Sequence, residues 1–233
     1  MQRYIAIVED EAAIRENYRA VLTRYGYHVS MYSNRREAMA AFNKQLPELA
    51  IIDVGLEDEI EGGFDLCREL RAIAPQLPII FLTARDSELD AISGLRLGAD
   101  DYLTKDISLE HMVARIVALF RRVDALQSKS PAEQGQQLCC GDLVMDLDRM
   151  TANWQAQLVP LTLTEFWLVY ALARHPGHVK NRQQLMDAAN VVLDDNTITS
   201  HIKRIRKKFS KLDTNFQSIE TVYGFGYRWH PQK

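Results

Sequence analysis

The chain has 233 residues, 47% hydrophobic and 25% charged, which is typical of a folded globular protein and excludes an intrinsically disordered one. No apolar stretch reaches the ~18 residues that span a bilayer, and the opening MQRYIAIVEDE lacks a signal-peptide pattern, so we expect a cytoplasmic protein. Its three cysteines, Cys67, Cys139 and Cys140, lack metal-ligand spacing and are expected to be reduced thiols.

The net charge of −3 is unevenly distributed along the chain. Residues 1–122 contain 15 Lys and Arg against 20 Asp and Glu, whereas residues 138–233 contain 12 against 9. An acidic first part and a basic second part predict different partners, a cation for the first and nucleic acid for the second.

Short apolar runs alternate with amphipathic segments in the first half of the chain. The apolar runs predict buried parallel strands at 4–8, 28–32, 49–52, 79–82 and 102–103. The periodic segments predict helices at 12–24, 35–44, 65–74, 88–97 and 109–122. Five strand–helix repeats predict an α/β domain with a doubly wound, five-stranded parallel sheet. Ligands of such sheets bind at the carboxyl ends of the strands.

Residues 123–137 are polar, contain Ser, Pro and Gly, and lack an apolar period, which is typical of a linker. We therefore predict a first domain at 1–122 and a smaller second domain at 138–233. In the second domain we predict strands near 143–147 and 158–161, helices at 164–174, 182–188 and 197–211, and a terminal hairpin at 219–229.

Polar side chains follow four of the predicted strands in the first domain. Glu9 and Asp10 follow the first strand, Asp53 the third, Thr83 the fourth and Lys105 the fifth. An acid at the end of one strand is more often a helix cap than a ligand, but here several polar groups converge on one crevice. Three carboxylates together favour a hard cation such as Mg²⁺, and an ammonium and a hydroxyl beside them suit a phosphoryl group.

Five segments make residues 1–122 resemble a receiver domain of the flavodoxin-like fold. They are VEDE (8–11), Asp53, LTA (82–84), GLRLGADDYLTK (94–105) and ARIVALFRR (114–122). The resemblance implies that Asp53 accepts a phosphoryl group from a phosphohistidine of a sensor histidine kinase. It assigns Mg²⁺ to Asp10, Asp53, the carbonyl of Gly55 and neighbouring Glu9, phosphoryl contacts to Lys105 and Thr83, and switching to Thr83 and Tyr102.

Two features depart from that resemblance. Asp106 stands where the family usually has a proline after a cis bond, so the Lys105–Asp106 bond is either a strained cis bond or a trans bond that displaces Lys105. The loop after Asp53 is also about two residues longer than usual and carries four acids, which we expect to face solvent. These are Glu57, Asp58, Glu59 and Glu61.

The second domain carries a basic helix and a glycine-rich hairpin. Residues 197–211 place Ile198, Ile202, Ile205 and Phe209 on one apolar stripe, and the other faces are rich in Lys and Arg. A charge run alone is often only a solvated face. Here the helix is the second of a pair, and the domain resembles the winged-helix effector domain of the OmpR/PhoB family through LTLTEFWLVYALARHPG (161–177) and the wing IETVYGFGYRW (219–229).

This resemblance makes 197–211 the DNA recognition helix. It implies base contacts from Thr199, His201, Lys203 and Arg204, and phosphate contacts from Arg206 and Lys207. His201 is equally consistent with a packing or capping role. The wing has Tyr223 where the family usually has Arg, so Arg228 or Lys233 is expected to replace that contact. The short segment 189–195 lacks the family's usual Trp, which leaves contact with RNA polymerase open.

The resemblance also implies that phosphorylation favours a receiver homodimer, which would bind tandem DNA half-sites about one turn apart. The charged positions of that dimer surface correspond to Asp100, Asp101, Arg115 and Arg122, with Asp101–Arg115 as the preferred pair. A further ion pair of the family is replaced here by Ser93 and His111.

Two other functions share part of this sequence pattern. An aspartyl-phosphate phosphatase usually has a second aspartate two residues after its nucleophile, and here that position is Gly55, so we expect no enzyme beyond a receiver's own phosphoryl transfer and dephosphorylation. A regulator that binds DNA without phosphorylation, controlled by protein contacts, is the closer alternative because of Asp106 and the longer acidic loop.

Overall fold

The computed structural model describes residues 2–56, 61–83, 98–127, 137–188 and 195–230. The chain forms two compact units, residues 1–116 and 117–233. Within the described ranges, no helix is long and apolar enough to cross a membrane.

The first unit is a parallel α/β sheet. Its elements are β1 (Tyr4–Val8), α1 (Ala12–Arg24), β2 (His28–Tyr32), α2 (Arg35–Phe42), β3 (Leu49–Asp53), α3 (Gly62–Ile73), β4 (Ile79–Thr83), β5 (Asp101–Thr104) and α4 (Leu109–Gln127), which continues into the second unit. The strand order is β2-β1-β3-β4-β5 and all four pairings are parallel. The predicted doubly wound fold is confirmed, with the order of a flavodoxin-like sheet.

The central strands are apolar throughout because both faces of the sheet are buried. Every residue of β3 and β4 is buried, whereas the edge strand β2 is at most half-buried. A parallel sheet covered on both faces needs continuous rather than alternating apolar residues. Polar side chains can therefore appear only where strands end, and this concentrates them at one edge of the sheet.

Two predicted boundaries in this unit are wrong. Helix α3 begins at Gly62, three residues before the predicted start, and α4 continues to Gln127, so a linker does not begin at residue 123. Residues 123–127 include Ala, Leu and Gln, which are good helix formers, and the first helix-breaking residue is Pro131. The predicted helix at 88–97 lies outside the described residues.

The second unit combines a four-stranded antiparallel sheet, three helices and a hairpin. After α4 come β6 (Gln137–Cys140), β7 (Leu143–Asp146), β8 (Thr151–Trp154), β9 (Gln157–Val159), α5 (Leu163–Ala173), α6 (Arg182–Ala188), α7 (Asp195–Ser210), β10 (Ile219–Val222) and β11 (Gly226–Trp229). The sequence did not predict β6 and β8. The residues at positive φ beside β8 are Met150, Gln155 and Ala156, so the usual Gly or Asn turn signal is missing there.

The apolar stripe of the basic helix forms part of the second core, as predicted. Ile198, Ile202, Ile205 and Phe209 are each at most 1% exposed. The Phe209 ring stacks on Phe216, with centroids 4.5 Å apart, and Trp154 and Trp229 pack edge-on nearby. This packing determines which sides of α7 are left to face solvent.

Candidate functional site

The predicted acidic crevice exists at the carboxyl ends of β1 and β3. Glu9, Asp10 and Asp53 each offer a carboxylate oxygen, and these oxygens all lie within 4.8 Å of one another. Glu9 and Asp53 are buried, whereas Asp10 is half-buried. Gly55 lies two residues beyond Asp53 and is half-buried as well.

Lys105 reaches this carboxylate cluster from the end of β5. Its Nζ donates to Glu9 Oε1 at 2.8 Å and to Asp53 Oδ2 at 2.9 Å. The described residues contain no cis peptide bond, so the Lys105–Asp106 bond is trans. The expectation that a trans bond would displace Lys105 is therefore wrong, because the hydrogen bond from Lys105 N to Thr83 O, at 2.8 Å, still anchors the residue beside β4.

Burial controls the ionisation of this cluster. It raises the pKa of Glu9 to about 7, and the hydrogen bond from Lys105 offsets this only in part. Burial also raises the pKa of Asp53. Burial alone would lower the pKa of Lys105, but its hydrogen bonds to Glu9 and Asp53 outweigh that effect and raise it. One ammonium therefore does not neutralise the buried carboxylates, and a further cation would stabilise their charged forms.

The residues present fit a magnesium ion. Glu9 Oε2 is buried and has no hydrogen-bond partner among the described residues, although its neighbour Oε1 is paired with Lys105. A buried carboxylate oxygen without a partner is costly unless it meets a cation. Oxygen ligands with room for water are the kind of site that Mg²⁺ occupies.

Two residues that the sequence analysis missed position the crevice. Arg15 on α1 donates through Nη1 to the backbone carbonyls of Glu9 and Asp10, the latter at 3.0 Å. Gly63 on α3 lies so close to β3 that a Cβ atom there would be 1.9 Å from the Asp53 carbonyl oxygen. No pattern in the sequence indicates this contact, because Gly63 lies ten residues after Asp53 in an ordinary helical segment.

The two predicted switch residues lie beside the crevice. Thr83 ends β4 and is 1% exposed, and Tyr102 on β5 is half-buried, with its ring centroid 6.3 Å from that of Phe81. Their positions agree with the prediction, whereas their movement stays a prediction. The acidic loop residues 57–60 lie outside the described residues.

A cleft of about 810 Å³ lies between the two last helices and the terminal hairpin of the second unit. Its lining includes Asn181, Arg182, Thr199, Lys203, Arg206, Tyr223 and Phe225. Thr199 and Lys203 are both exposed on α7, as expected of side chains that contact DNA. Lys207 is also exposed, outside this cleft.

Comparisons with known proteins match both units to families. Residues 5–117 match the response regulator receiver domain, and residues 156–229 match the C-terminal domain of transcriptional regulatory proteins. The chain is 36% identical to the transcriptional regulatory protein CreB of Escherichia coli K12 over 231 residues, 97% of this chain and 98% of CreB. The chain is a response regulator of the OmpR/PhoB type.

Other relatives span the same length as this response regulator. The alkaline phosphatase synthesis regulator PhoP of Bacillus subtilis is 33% identical and covers 100% of this chain, which covers 99% of PhoP. Among solved structures, a mutant of RitR matches with a TM-score of 0.78 at 23% identity, with both chains covered completely, and supports the fold alone. DrrB of Thermotoga maritima matches with a TM-score of 0.52 at 25% identity over 99% of this chain and 100% of DrrB.

Two of the predicted base contacts of the response regulator are wrong. His201 is 0% exposed and Arg204 is 9% exposed, and the two are joined by a 2.7 Å contact between Arg204 Nη2 and His201 Nδ1. Arg204 also forms an ion pair with the fully buried Glu165 of α5. Both side chains therefore face the core, and His201 has the packing role that the sequence left open.

The other basic positions are partly engaged within the domain. Arg206 donates to Ile219 O at 2.9 Å and to Thr221 Oγ1 at 2.8 Å, which holds it against the hairpin at the cleft wall. Arg228 is paired with Glu220 at 2.8 Å. Lys233 and residues 189–194 lie outside the described residues, so the expectations about a replacement wing contact and about RNA polymerase stay predictions.

The predicted dimer residues are largely engaged within one receiver. Asp100 is 0% exposed, and its Oδ2 accepts from Arg71 Nη2 at 2.8 Å and from the Ile79 amide at 3.0 Å. A surface role for Asp100 is therefore wrong in this conformation, because Arg71 on α3 pairs with it internally. Asp101 lies 3.6 Å from Arg115 of the same chain, so this pair forms without a second copy. The structure describes the backbone of Arg122 in α4 but not its side chain.

Replacing Lys105 with alanine is expected to slow phosphorylation by acetyl phosphate about 100-fold, because the ammonium that lies 2.9 Å from Asp53 Oδ2 is lost. Magnesium affinity is expected to rise, since the carboxylates lose the ammonium that pairs with them. Time courses of intact mass and calorimetric titration with Mg²⁺ measure the two effects. Lys44→Ala, an exposed charge on the same domain, is the control, and equal rates in the two variants would contradict the prediction.

Proposed function

We propose that Asp53 accepts a phosphoryl group in a Mg²⁺-dependent reaction and that this modification controls DNA binding by the second domain. The observation that carries the proposal is the crevice in which Glu9, Asp10 and Asp53 lie together at the carboxyl ends of β1 and β3, where Lys105 from the end of β5 pairs with Glu9 and Asp53. Such a site supplies the positioning and charge neutralisation that phosphoryl transfer requires.

The transfer follows from the placement of the side chains. An Asp53 carboxylate oxygen attacks phosphorus in line with the bond from phosphorus to the imidazole nitrogen of a sensor kinase histidine. The P–O bond forms as the P–N bond breaks, and the imidazole leaves with the electron pair. Glu9, Asp10, Asp53 and the carbonyl of Gly55 would hold Mg²⁺, which when bound would supply positive charge to the phosphoryl oxygens. Lys105 Nζ then exchanges its contact with Asp53 for a phosphoryl oxygen.

The output follows through Thr83 and Tyr102. The Thr83 side chain moves toward the phosphoryl group and its hydroxyl donates to it. Tyr102 then turns into the space that the Thr83 side chain leaves. The altered surface of β5 and α4 then favours a homodimer, whose second domains bind tandem half-sites on DNA. Water later removes the phosphoryl group, so the receiver catalyses only its own modification and its reversal.

Incubation of the full chain with acetyl phosphate and Mg²⁺ tests this proposal. Intact mass should show one added phosphoryl group on the wild type and on Asp148→Asn, an exposed aspartate in the second domain, and none on Asp53→Asn. A wild type that gains no mass would favour the alternative of a regulator that works without phosphorylation. Light scattering with beryllofluoride and Mg²⁺ should show dimers, and a persistent monomer would exclude the dimerisation step.

A further inference from the structure

The tip of the terminal hairpin exposes two aromatic rings. Tyr223 is 90% exposed and Phe225 is 72% exposed, and they are the most exposed large hydrophobic residues in the described part of the chain. They occupy the turn between β10 and β11. The next most exposed large hydrophobic residues in the described part of the chain are Leu158, at 58%, and Tyr25, at 56%. Two highly exposed rings two residues apart in one turn form a candidate binding surface.

The base of the hairpin is anchored to its own domain. Its base pairs with the segment before α6 through Lys180 N to Tyr227 O at 2.8 Å and Tyr227 N to Lys180 O at 2.9 Å. A Cβ atom at Gly226, which has a φ of +138°, would be 2.1 Å from Lys180 O, so the close approach requires glycine. The anchored base therefore fixes where the turn that carries the two rings begins and ends.

The electrostatic surroundings of the rings favour DNA as their partner. Both rings line the same cleft as exposed Arg182 and Lys203. The two charged residues in the described hairpin, Glu220 and Arg228, pair with each other, so the tip itself is neutral. Apolar side chains on a neutral tip cannot neutralise phosphates, but they can contact sugars and base edges inside a groove.

A protein partner is less consistent with the size of this surface. Two aromatic side chains bury about 150–250 Å² each, well below the roughly 800 Å² per partner of a stable interface. DNA bound by the neighbouring helix α7 already supplies the remaining contact area. We propose that Tyr223 and Phe225 form an aromatic wedge that enters the minor groove beside the half-site and favours a deformable pyrimidine–purine step there. The inference rests on the proposed DNA binding.

The wedge reads a different property of DNA than an arginine would. An arginine in the minor groove favours narrow A-tracts with their negative potential, whereas inserted rings favour steps that unstack at low cost. At this position the chain has an uncharged ring, Tyr223. The preferred step under the wing should therefore be TA or CA rather than an A-tract.

Binding of the full chain to a duplex that it enriches from random DNA tests the inference. Replacing both Tyr223 and Phe225 with alanine should weaken binding about tenfold or more, as loss of aromatic–base contacts does. The salt dependence should not change, because the rings neutralise no phosphate. Leu158→Ala, an exposed apolar residue outside the cleft, is the control and should bind like the wild type. Unchanged tryptophan fluorescence would show that the variants fold.

Two further measurements separate the possible results. Tyr223→Arg should steepen the plot of log affinity against log salt by about 0.9 and shift the preferred step under the wing from TA to an A-tract. Full affinity in the double alanine variant would overturn the wedge, as would an equal preference for both steps. A loss of binding that accompanies loss of the dimer would assign the rings to a second copy and also overturn it. A wild type that enriches no duplex would refute DNA binding itself and the wedge with it.

Discussion

Replacing Glu165 with glutamine is expected to destabilise the DNA-binding domain by about 3–5 kcal/mol, the usual cost of breaking a buried ion pair from one side. Glu165 is 0% exposed, and its two oxygens accept from Arg204, from Lys208 at 2.5 Å and from the Thr162 amide at 2.8 Å. The uncharged amide would leave the guanidinium of Arg204, itself 9% exposed, without its anion.

Urea unfolding followed by tryptophan fluorescence measures this effect in the full chain. The three tryptophans, Trp154, Trp167 and Trp229, all lie in the second domain, so their signal reports that domain. Glu220→Gln breaks an exposed ion pair and serves as the matched control, with its midpoint expected near that of the wild type. The double variant Glu165→Leu, Arg204→Met should recover much of the loss, because no buried guanidinium is left without its anion and Lys208, 21% exposed, can still donate to Pro160 O. Equal midpoints for the two glutamine variants would contradict the prediction.

The same ion pair predicts how stability depends on pH. Burial alone would raise the pKa of Glu165, but the charges of Arg204 and Lys208 lower this pKa to about 2 in the folded domain. A carboxyl with a lowered pKa contributes its stability above the unfolded value near 4.5 and loses it as the pH falls toward 2. The free energy of unfolding should therefore fall more steeply over this range in the wild type than in Glu165→Gln. Parallel curves would show that Glu165 titrates normally.

The second large effect is expected at Gly63, where alanine should both destabilise the receiver and slow its phosphorylation. The added Cβ atom would lie 1.9 Å from Asp53 O and 2.9 Å from Val54 Cα. Both are backbone atoms, so they cannot move away as a flexible side chain would. Either α3 or the end of β3 must shift, at a cost of about 1–3 kcal/mol, and the shift displaces Asp53, the proposed acceptor.

Phosphorylation rate and receiver stability together test the Gly63→Ala prediction. The time course of intact mass with acetyl phosphate should slow about tenfold or more, since a displacement near 1 Å at a reacting group costs up to about 100-fold. Ala72→Leu adds bulk on the exposed side of the same helix and is the control. Far-ultraviolet circular dichroism follows unfolding of the receiver. A Gly63→Ala variant with wild-type rate and stability would show that the close approach of α3 does not hold Asp53 in place.

Much of the receiver was predictable because the side chains of its candidate site directly follow its strands in the sequence. Asp53 ends the apolar run of β3, and Lys105 directly follows β5, so the sequence pattern placed both at one edge of the sheet. The motifs and their spacing also predicted the flavodoxin-like fold and the two-domain division. What the pattern missed were contacts made from the helices, such as Arg15 to the loop carbonyls and Gly63 to Asp53.

The dimer residues show the same limit. The family resemblance assigned Asp100 to the dimer surface, but Arg71, 29 residues earlier, pairs with it in the interior. Such a pairing depends on how the Arg71 side chain reaches Gly98 and Asp100, in the segment that leads into β5. Neither residue has a local signal that identifies the other.

Helix α7 separates most clearly what the sequence determined from what the tertiary structure decided. The sequence alone predicted a basic helix with one buried apolar stripe, because the period of a helix can be read from the residue types. Lys203 and Arg204 are adjacent and carry the same charge, yet Lys203 is exposed in the cleft and Arg204 is buried against Glu165, 39 residues away. Only the packing of α5 against α7 decides this, since a buried carboxylate pairs with one cation in the core and the other stays exposed in the cleft.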